Sequence, residues 1–387
     1  MMAGLYIHIP FCRSRCIYCG FYSTTLLPLR QRYVDALCRE MELRPLPQDG
    51  DILRTVYLGG GTPSLLTAGQ LEKLFIYIDK VYGSGELREV TMECNPDDVT
   101  EEFAEMLRYL PVTRVSLGAQ TFSDDRLRFL HRRHNAVQVK EAVARLRGAG
   151  ITNISIDLMF GFPGESLESW EEDIAEALKL EVEHVSAYSL MYEEGTPLME
   201  MVRNCEEVKG GKGEEVKGGK GEEVKDEELS REMYELLLDR MEAAGYEHYE
   251  ISNWARPGFR SLHNSSYWQG IPYIGIGAAA HSFDMKTRSW NISDIRSYME
   301  AIEKGKFPSE CEYLEEKDSY NDLVTTALRT KEGISLASLS PQRRHVLLEN
   351  ATLSLRAGLL RLEHDRLALT RQGLFVSDAV MADLIDA

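Results

Sequence analysis

The chain has 387 residues and a net charge of −18, from 44 basic against 62 acidic residues. Such acidity argues against a nucleic-acid partner, because phosphate contacts need basic surface. It also disfavours anionic lipid, so membrane association is expected only through a partner. A 43% hydrophobic and 27% charged composition suits a globular chain with one large domain and a smaller one. No run of 18 apolar residues is present, and Met1 to His8 lacks the basic region of a signal peptide, so the expected address is cytoplasmic.

In chain order, strand-like runs at 5–9, 55–58, 89–93, 114–118, 153–158 and 184–189 alternate with amphipathic stretches at 30–43, 68–81, 101–110, 136–148 and 167–178. Six β-then-α units in a row predict a parallel sheet, curled into a barrel or left open. Residues 206–225 read Glu-Glu-Val-Lys-Gly-Gly-Lys-Gly twice and then Glu-Glu-Val-Lys. With so little apolar content the repeat cannot offset its ordering entropy, and a disordered insert is expected. A helix should follow from about 226 to 244. From about 311 onward, three short helical patterns and a hairpin around 359–369 predict a small α+β domain of winged-helix type. The expected division is 1–245, 246–310 and 311–387.

Three of the seven cysteines, Cys12, Cys16 and Cys19, fall within eight residues directly after the first strand. Cys38, Cys94, Cys205 and Cys311 are scattered and read as small buried hydrophobes. Structural zinc takes four Cys or His ligands and electron-transfer [4Fe–4S] clusters take four thiolates. Three thiolates with no fourth at the usual spacing leave a metal position open, although a zinc knuckle completed by a distant residue is the competing reading. Further along, Gly59-Gly60-Gly61-Thr62-Pro63 follows the second strand and lets backbone approach a ligand closely. Glu93, Gln120 and Asp157 are carried by the third, fourth and fifth strands. Each could be a cap or a surface group, but in a β/α barrel the C-terminal strand ends share one face, where active sites are built.

The run of Cys12, Cys16 and Cys19 resembles the radical S-adenosylmethionine (SAM) superfamily. Nearly the whole chain is similar to one branch, the oxygen-independent coproporphyrinogen III oxidase family. The matching stretches are Tyr6 to Cys12, Gly59 to Pro63, Glu93 to Pro96, Ile156 to Leu158 with Gly161 to Gly164, and Gly275 to Gly277. The resemblance implies a partial (β/α)6 TIM-like barrel and a [4Fe–4S] cluster on the three cysteines. SAM would chelate the open iron and be cleaved reductively to a 5′-deoxyadenosyl radical. It also places Tyr6, Tyr18, Gly60, Gly61, Thr62, Glu93, Gln120, Arg132 and Asp157 with the cofactor, Arg133 being the neighbour that competes with Arg132. The oxidase proper has a fourth cysteine where this chain has Phe21, and an N-terminal extension over its site. Both departures match the sister group of haem chaperones, as does His263-Asn264-Ser265-Ser266-Tyr267-Trp268. That motif implies haem contacts from His263, Asn264, Tyr267 and Trp268, with an imidazole as axial ligand; read from chemistry alone it is a strand or turn anchored by buried aromatics. His281 reads as either a core histidine or a group near the SAM pocket, and His281 and His248 compete with His263 as haem ligands. The implied partners are an apo-haemoprotein acceptor and a reductant such as flavodoxin or ferredoxin. The alternative is oxidative decarboxylation of coproporphyrinogen III.

Overall fold

A computed structural model of the protein describes residues 2–46, 50–210 and 227–386. Strand β1 (Met2–Ile9) is followed in space as in sequence by β2 (Ile52–Gly60), β3 (Glu89–Cys94), β4 (Arg114–Gln120), β5 (Ile154–Phe160) and β6 (His184–Ser189), all parallel. The crossovers carry α1 (Arg30–Leu43), α2 (Ala68–Tyr82), α3 (Glu101–Leu107), α4 (Asp124–Phe129), α5 (Ala136–Gly148) and α6 (Leu167–Lys179). Alternation sets the faces. Leu5, Ile7 and Ile9 are fully buried in one core with Tyr33, Leu37 and Met41 of α1, so Tyr6 and His8 point the other way, into the lumen. Capping boxes fix three helix starts, with Thr67 and Gln70 at α2, Asn135 and Gln138 at α5, and Ser166 and Ser169 at α6.

The helix expected after the insert is α8 (Glu227–Ala243), while α7 (Pro197–Gly210) precedes it. Residues 206–210 of the expected loop therefore continue a helix, as Glu, Val and Lys permit. Residues 211–225 lie outside the described residues. Beyond β6 the sheet gains β8 (Asn253–Ala255) and β7 (Glu247–Glu250), antiparallel. On the far side of β1 comes β9 (Tyr273–Ile276), parallel, then β10 (His281–Phe283), β11 (Thr287–Asn291) and β12 (Ser309–Tyr313), antiparallel. These outer strands are held to α1 through buried Glu40. It accepts from Gly277 N (2.8 Å), Asn291 Nδ2 (2.8 Å) and Tyr298 Oη (2.6 Å), the last on α10 (Ile295–Glu303).

The C-terminal part forms its own core from Val324, Leu328, Ile334, Leu347, Leu367 and Leu384 among others. Its three strands, β13 (Ile334–Ser335), β15 (Arg366–Leu369) and β14 (Leu360–Glu363), pack with five helices where three were expected: α11 (Glu316–Ala327), α12 (Pro341–Asn350), α13 (Thr352–Arg356), α14 (Arg371–Leu374) and α15 (Ser377–Leu384). The expected hairpin is present. It turns through His364 and Asp365, both at positive φ (50° and 62°), which is the geometry of a tight two-residue connection. Among the described residues no helix is long and apolar enough to cross a membrane.

Candidate functional site

The cysteine loop leaves β1 at Pro10 and closes on itself through Thr24, whose N–H donates to Pro10 O (2.7 Å) and whose carbonyl accepts from Cys12 N (2.9 Å). Cys12, Cys16 and Cys19 all line a cavity of about 560 Å³ that runs down the lumen. Burial pushes the Cys12 and Cys19 thiols up. Polar donors face two of the sulfurs, Thr62 Oγ1 at 3.6 Å from Cys12 Sγ and Arg132 Nη1 at 3.6 Å from Cys16 Sγ. Among the described residues no three Cys, His, Asp or Glu groups close to single-ion geometry. A cubane cluster binds each thiolate at a different iron and needs a wider triangle than zinc does. Cys311, by contrast, is exposed and Cys38 and Cys94 are buried, so the expectation of four buried scattered cysteines fails at Cys311, which lies on the outermost strand.

Gly60, Gly61, Thr62, Glu93, Gln120, Arg132, Asp157 and Tyr18 line the same cavity. Gly60 has φ 106°, and a Cβ there would lie 2.4 Å from the His8 ring; one on Gly61 would lie 2.7 Å from Pro10 C. The glycines let the second βα turn press against the cysteine loop. Glu93 accepts from Tyr57 Oη (2.7 Å) and Gly60 N (3.0 Å), and burial pushes its carboxyl up to about 7. Asp157, mid-strand in β5, is pushed up to about 6, again by burial, with Ser116 Oγ at 3.4 Å. Gln120 follows a register shift in β4 and has φ 68°, a left-handed backbone that costs a non-glycine residue about 1–2 kcal/mol. Arg132 Nη2 donates to Asn95 Oδ1 (2.6 Å) and Gly118 O (2.7 Å), while its buried Nε has no partner. Arg133 turns away to Asp97 (2.8 Å) and Asp98 (3.2 Å). Both carboxyls are desolvated and Arg132 keeps a spare donor, as a site awaiting a polar, charged ligand requires.

Tyr6 does not line the cavity. It lies behind Tyr57, ring centroids 6.1 Å apart, and its hydroxyl meets His8 Nδ1 at 2.9 Å. Sequence reading missed Tyr57, Ser116 and Tyr188, which also face the cavity. Their alternation with Gly59, Gly118 and Ser186 on the same strands was the available signal.

The His-Asn-Ser-Ser-Tyr-Trp motif is neither strand nor turn but a short helix, α9 (Leu262–Trp268). It plugs the opposite end of the lumen, where the strands begin. Glu89, the first residue of β3, accepts from Leu262 N and His263 N, both at 2.9 Å. His263 is fully buried and stacked on Tyr57 (5.1 Å). Its Nδ1 meets Thr55 Oγ1 at 2.8 Å and its Nε2 meets Tyr267 Oη at 2.8 Å. Burial holds its pKa down at about 3, so the ring is neutral. Neither nitrogen is free for haem iron, and the expected axial contact is not carried by this arrangement. Trp268 lies beneath Arg329 (5.0 Å), and of the four motif residues only Asn264 reaches the cavity.

Residues 6–177 match the profile described as Radical SAM superfamily. The chain is 35% identical to the heme chaperone HemW of Mycobacterium tuberculosis (strain ATCC 25618 / H37Rv), covering 99% of this chain and 94% of that one. It is also 35% identical to heme chaperone HemW of Bacillus subtilis (strain 168), covering 98% of each. Among solved structures, coproporphyrinogen III oxidase (HemN) from Escherichia coli superposes with a TM-score of 0.79 at 18% identity, over 99% of this chain and 90% of that one. That likeness establishes the barrel fold. The identity to HemW proteins, sustained from end to end, establishes the lineage: the chain belongs to the HemW family of radical SAM proteins.

Proposed function

We propose that the chain is a haem chaperone, holding a [4Fe–4S] cluster on Cys12, Cys16 and Cys19, binding SAM in the adjoining cavity and passing haem to an apo-haemoprotein. The observation that carries this reading is the one cavity shared by three thiols, two desolvated carboxyls and a buried arginine, in a chain similar to HemW proteins over nearly its full length. A cluster with one iron left open supplies a ligation point for the methionine end of SAM and, once reduced, an electron to its sulfonium.

The chain's own residues prepare that chemistry. Arg132 faces the Cys16 sulfur and is held by Asn95 and Gly118, so a cation stands beside that sulfur at fixed geometry. Gly60 and Gly61 keep the turn low enough for a ligand to reach backbone groups. Glu93 and Asp157 are poised to ionise against an ammonium or bind ribose hydroxyls, and a cationic ligand would draw their titration downward. Gln120, strained at positive φ, lines the same cavity. A cytoplasmic flavodoxin or ferredoxin would supply the electron.

Anaerobically reconstituted full-length protein should bind haem, show a reduced-cluster EPR spectrum that changes with SAM, and form no vinyl product from coproporphyrinogen III. Turnover of coproporphyrinogen would overturn the chaperone reading in favour of the oxidase. An absence of haem binding would overturn it as well.

A further inference from the structure

The cavity extends deeper than the cofactor reading uses. Beyond the SAM-facing groups it reaches Arg114, the first residue of β4, and Asn264 on α9. Thr91 of β3 pairs in register with Arg114, and Glu93 with Ser116. Side chains alternate along a strand, so Thr91 and Arg114 form the lumen layer directly beneath that of Glu93 and Ser116. Ile156 pairs with Leu117, which sets Asp157 level with Gly118, four residues above Arg114. At roughly 3.3 Å per residue the two backbones stand about 13 Å apart along the strands. The three cysteines lie higher still, past the opposite ends of the strands.

This lower layer holds a charge with nothing to balance it. Arg114 is 2% exposed; its Nη1 donates to Asn153 Oδ1 (3.1 Å) and Phe259 O (3.0 Å), which fixes the guanidinium. Among the described residues it forms no ion pair, and its Nη2 and Nε make no hydrogen bond. Beside it, Thr91 is 1% exposed, with Oγ1 buried and unpartnered. Asn264 spends its backbone N–H on Ser261 Oγ (3.3 Å), and its side-chain amide bonds nothing among the described residues. The other polar groups nearby are committed. Ser155 Oγ meets His184 Nδ1 (2.6 Å), His184 Nε2 meets Tyr249 Oη (2.7 Å), and Ser186 Oγ donates to Asn253 Oδ1 (3.0 Å). Burial keeps the His184 ring neutral. Buried arginines are ordinarily paired and buried hydroxyls ordinarily bonded, so one layer with both left open points to a ligand.

We propose that Arg114, Thr91 and Asn264 hold the carboxylate of a second small molecule, seated in the lumen beneath SAM. The open edge of the guanidinium presents Nε and Nη2 side by side, a fork that matches the two oxygens of a carboxylate. Thr91 adds a hydroxyl from the adjoining strand and Asn264 an amide from the plug. One buried cation balances one negative charge. A phosphate dianion would carry an excess charge into a dry site that already has Asp157 overhead. The rest of such a molecule extends upward past Ser116, toward the cysteine end. The inference takes from the reading above only that SAM occupies the cysteine end, and it does not involve haem.

The test is calorimetric titration of the full-length protein with sodium acetate and with inorganic phosphate, wild type beside Thr91→Val and Arg114→Lys. Wild type should bind acetate at least about tenfold more tightly than phosphate. Thr91→Val keeps the shape and removes only the hydroxyl. It should melt at or above the wild-type temperature, because a buried donor without a partner is gone, yet bind acetate about fivefold more weakly. Arg114→Lys keeps the charge without the fork and should weaken acetate at least about tenfold. Folded Thr91→Val that binds acetate as wild type does, or wild type that binds none, would overturn the site. Phosphate bound as tightly as acetate would overturn the ligand class. On cluster-loaded protein, SAM should leave the acetate affinity within about twofold. Displacement of acetate by SAM would merge the floor with the cofactor's own site and end the proposal. A cluster spectrum indifferent to SAM would fail the cofactor reading alone, and the titrations without SAM would still decide the floor.

Discussion

The two ends of the barrel lumen are built from similar residues and treat them differently. At the cysteine end, Arg132 Nε has no partner, Gln120 holds a strained backbone, and Glu93 and Asp157 are pushed well above the usual carboxylate range. At the other end, Glu89 takes the first N–H groups of α9, and His263 spends both nitrogens on Thr55 and Tyr267. Both ends are buried, polar and aromatic. Each end keeps a buried donor without a partner, Arg132 Nε at the first and Trp268 Nε1 at the second, but only the first belongs to a residue that lines the cavity. Unspent capacity that faces a cavity marks what a ligand is to complete, whereas hydrogen bonds closed within the fold mark what the fold itself needs.

Removing a thiol should break the cysteine end alone. Cys16→Ser should take reconstituted iron from about four per chain to near none, with the far-UV circular dichroism unchanged; a variant that keeps its iron would mean a different ligand set. The plug end should fail by unfolding instead. His263→Ala removes two buried hydrogen bonds and leaves a cavity between β2 and α9, so a loss of about 2–4 kcal/mol is expected in urea. If its stability matched the wild type, the contrast between the two ends would not hold.

A smaller effect separates the ends by pH. The folded chain keeps the Glu93 proton up to about 7, whereas the unfolded chain releases it near the ordinary 4.5. Between those values the native state binds more protons, so this group's contribution falls as pH rises from about 4.5 to about 7 and is level above that. The difference between apo wild type and Glu93→Gln should therefore change across that window by on the order of 1–3 kcal/mol. A difference flat from pH 4 to 8 would show that Glu93 is not desolvated. The smallest effect belongs to Phe21, 69% exposed at the rim. Phe21→Ala should shift stability by less than about 0.5 kcal/mol, and a larger loss would place that ring in the core.

Much of the barrel could be read in the sequence because it is written in long periods. Helices α1 and α5 fall where the apolar spacing puts them, and β1 to β6 differ from their expected spans mainly by extra residues at the ends. The cysteine triplet and the polar groups on successive strands were equally plain, since each sits next to a strand whose order dictates its neighbours. The outer strands were not. β10 has three residues and β9 four, too short for a period, and their place is set by Glu40, more than 230 positions away in sequence from Gly277. His263 was visible as a motif and misjudged as a contact. Its distance of four residues from Tyr267 matches one helix face, and that spacing was the clue to a paired, buried imidazole.

The pairing of β1 with β9 as well as β2 has a consequence in time. The strand that leads into the cysteine loop is made before both of its neighbours, and one of them arrives only with Tyr273. At about 5–20 residues per second, the ribosome leaves that edge bare for roughly 10–50 s. Through that interval the loop borders an unfinished sheet, and nascent chains halted before Tyr273 should have Cys12, Cys16 and Cys19 alkylated faster than chains halted after Asn291. Equal rates would show that the loop closes without its second neighbour. Faster alkylation of the shorter chains would mean that the order of synthesis sets a loading window, in which iron and sulfide reach the thiols from the side before β9 pairs with β1.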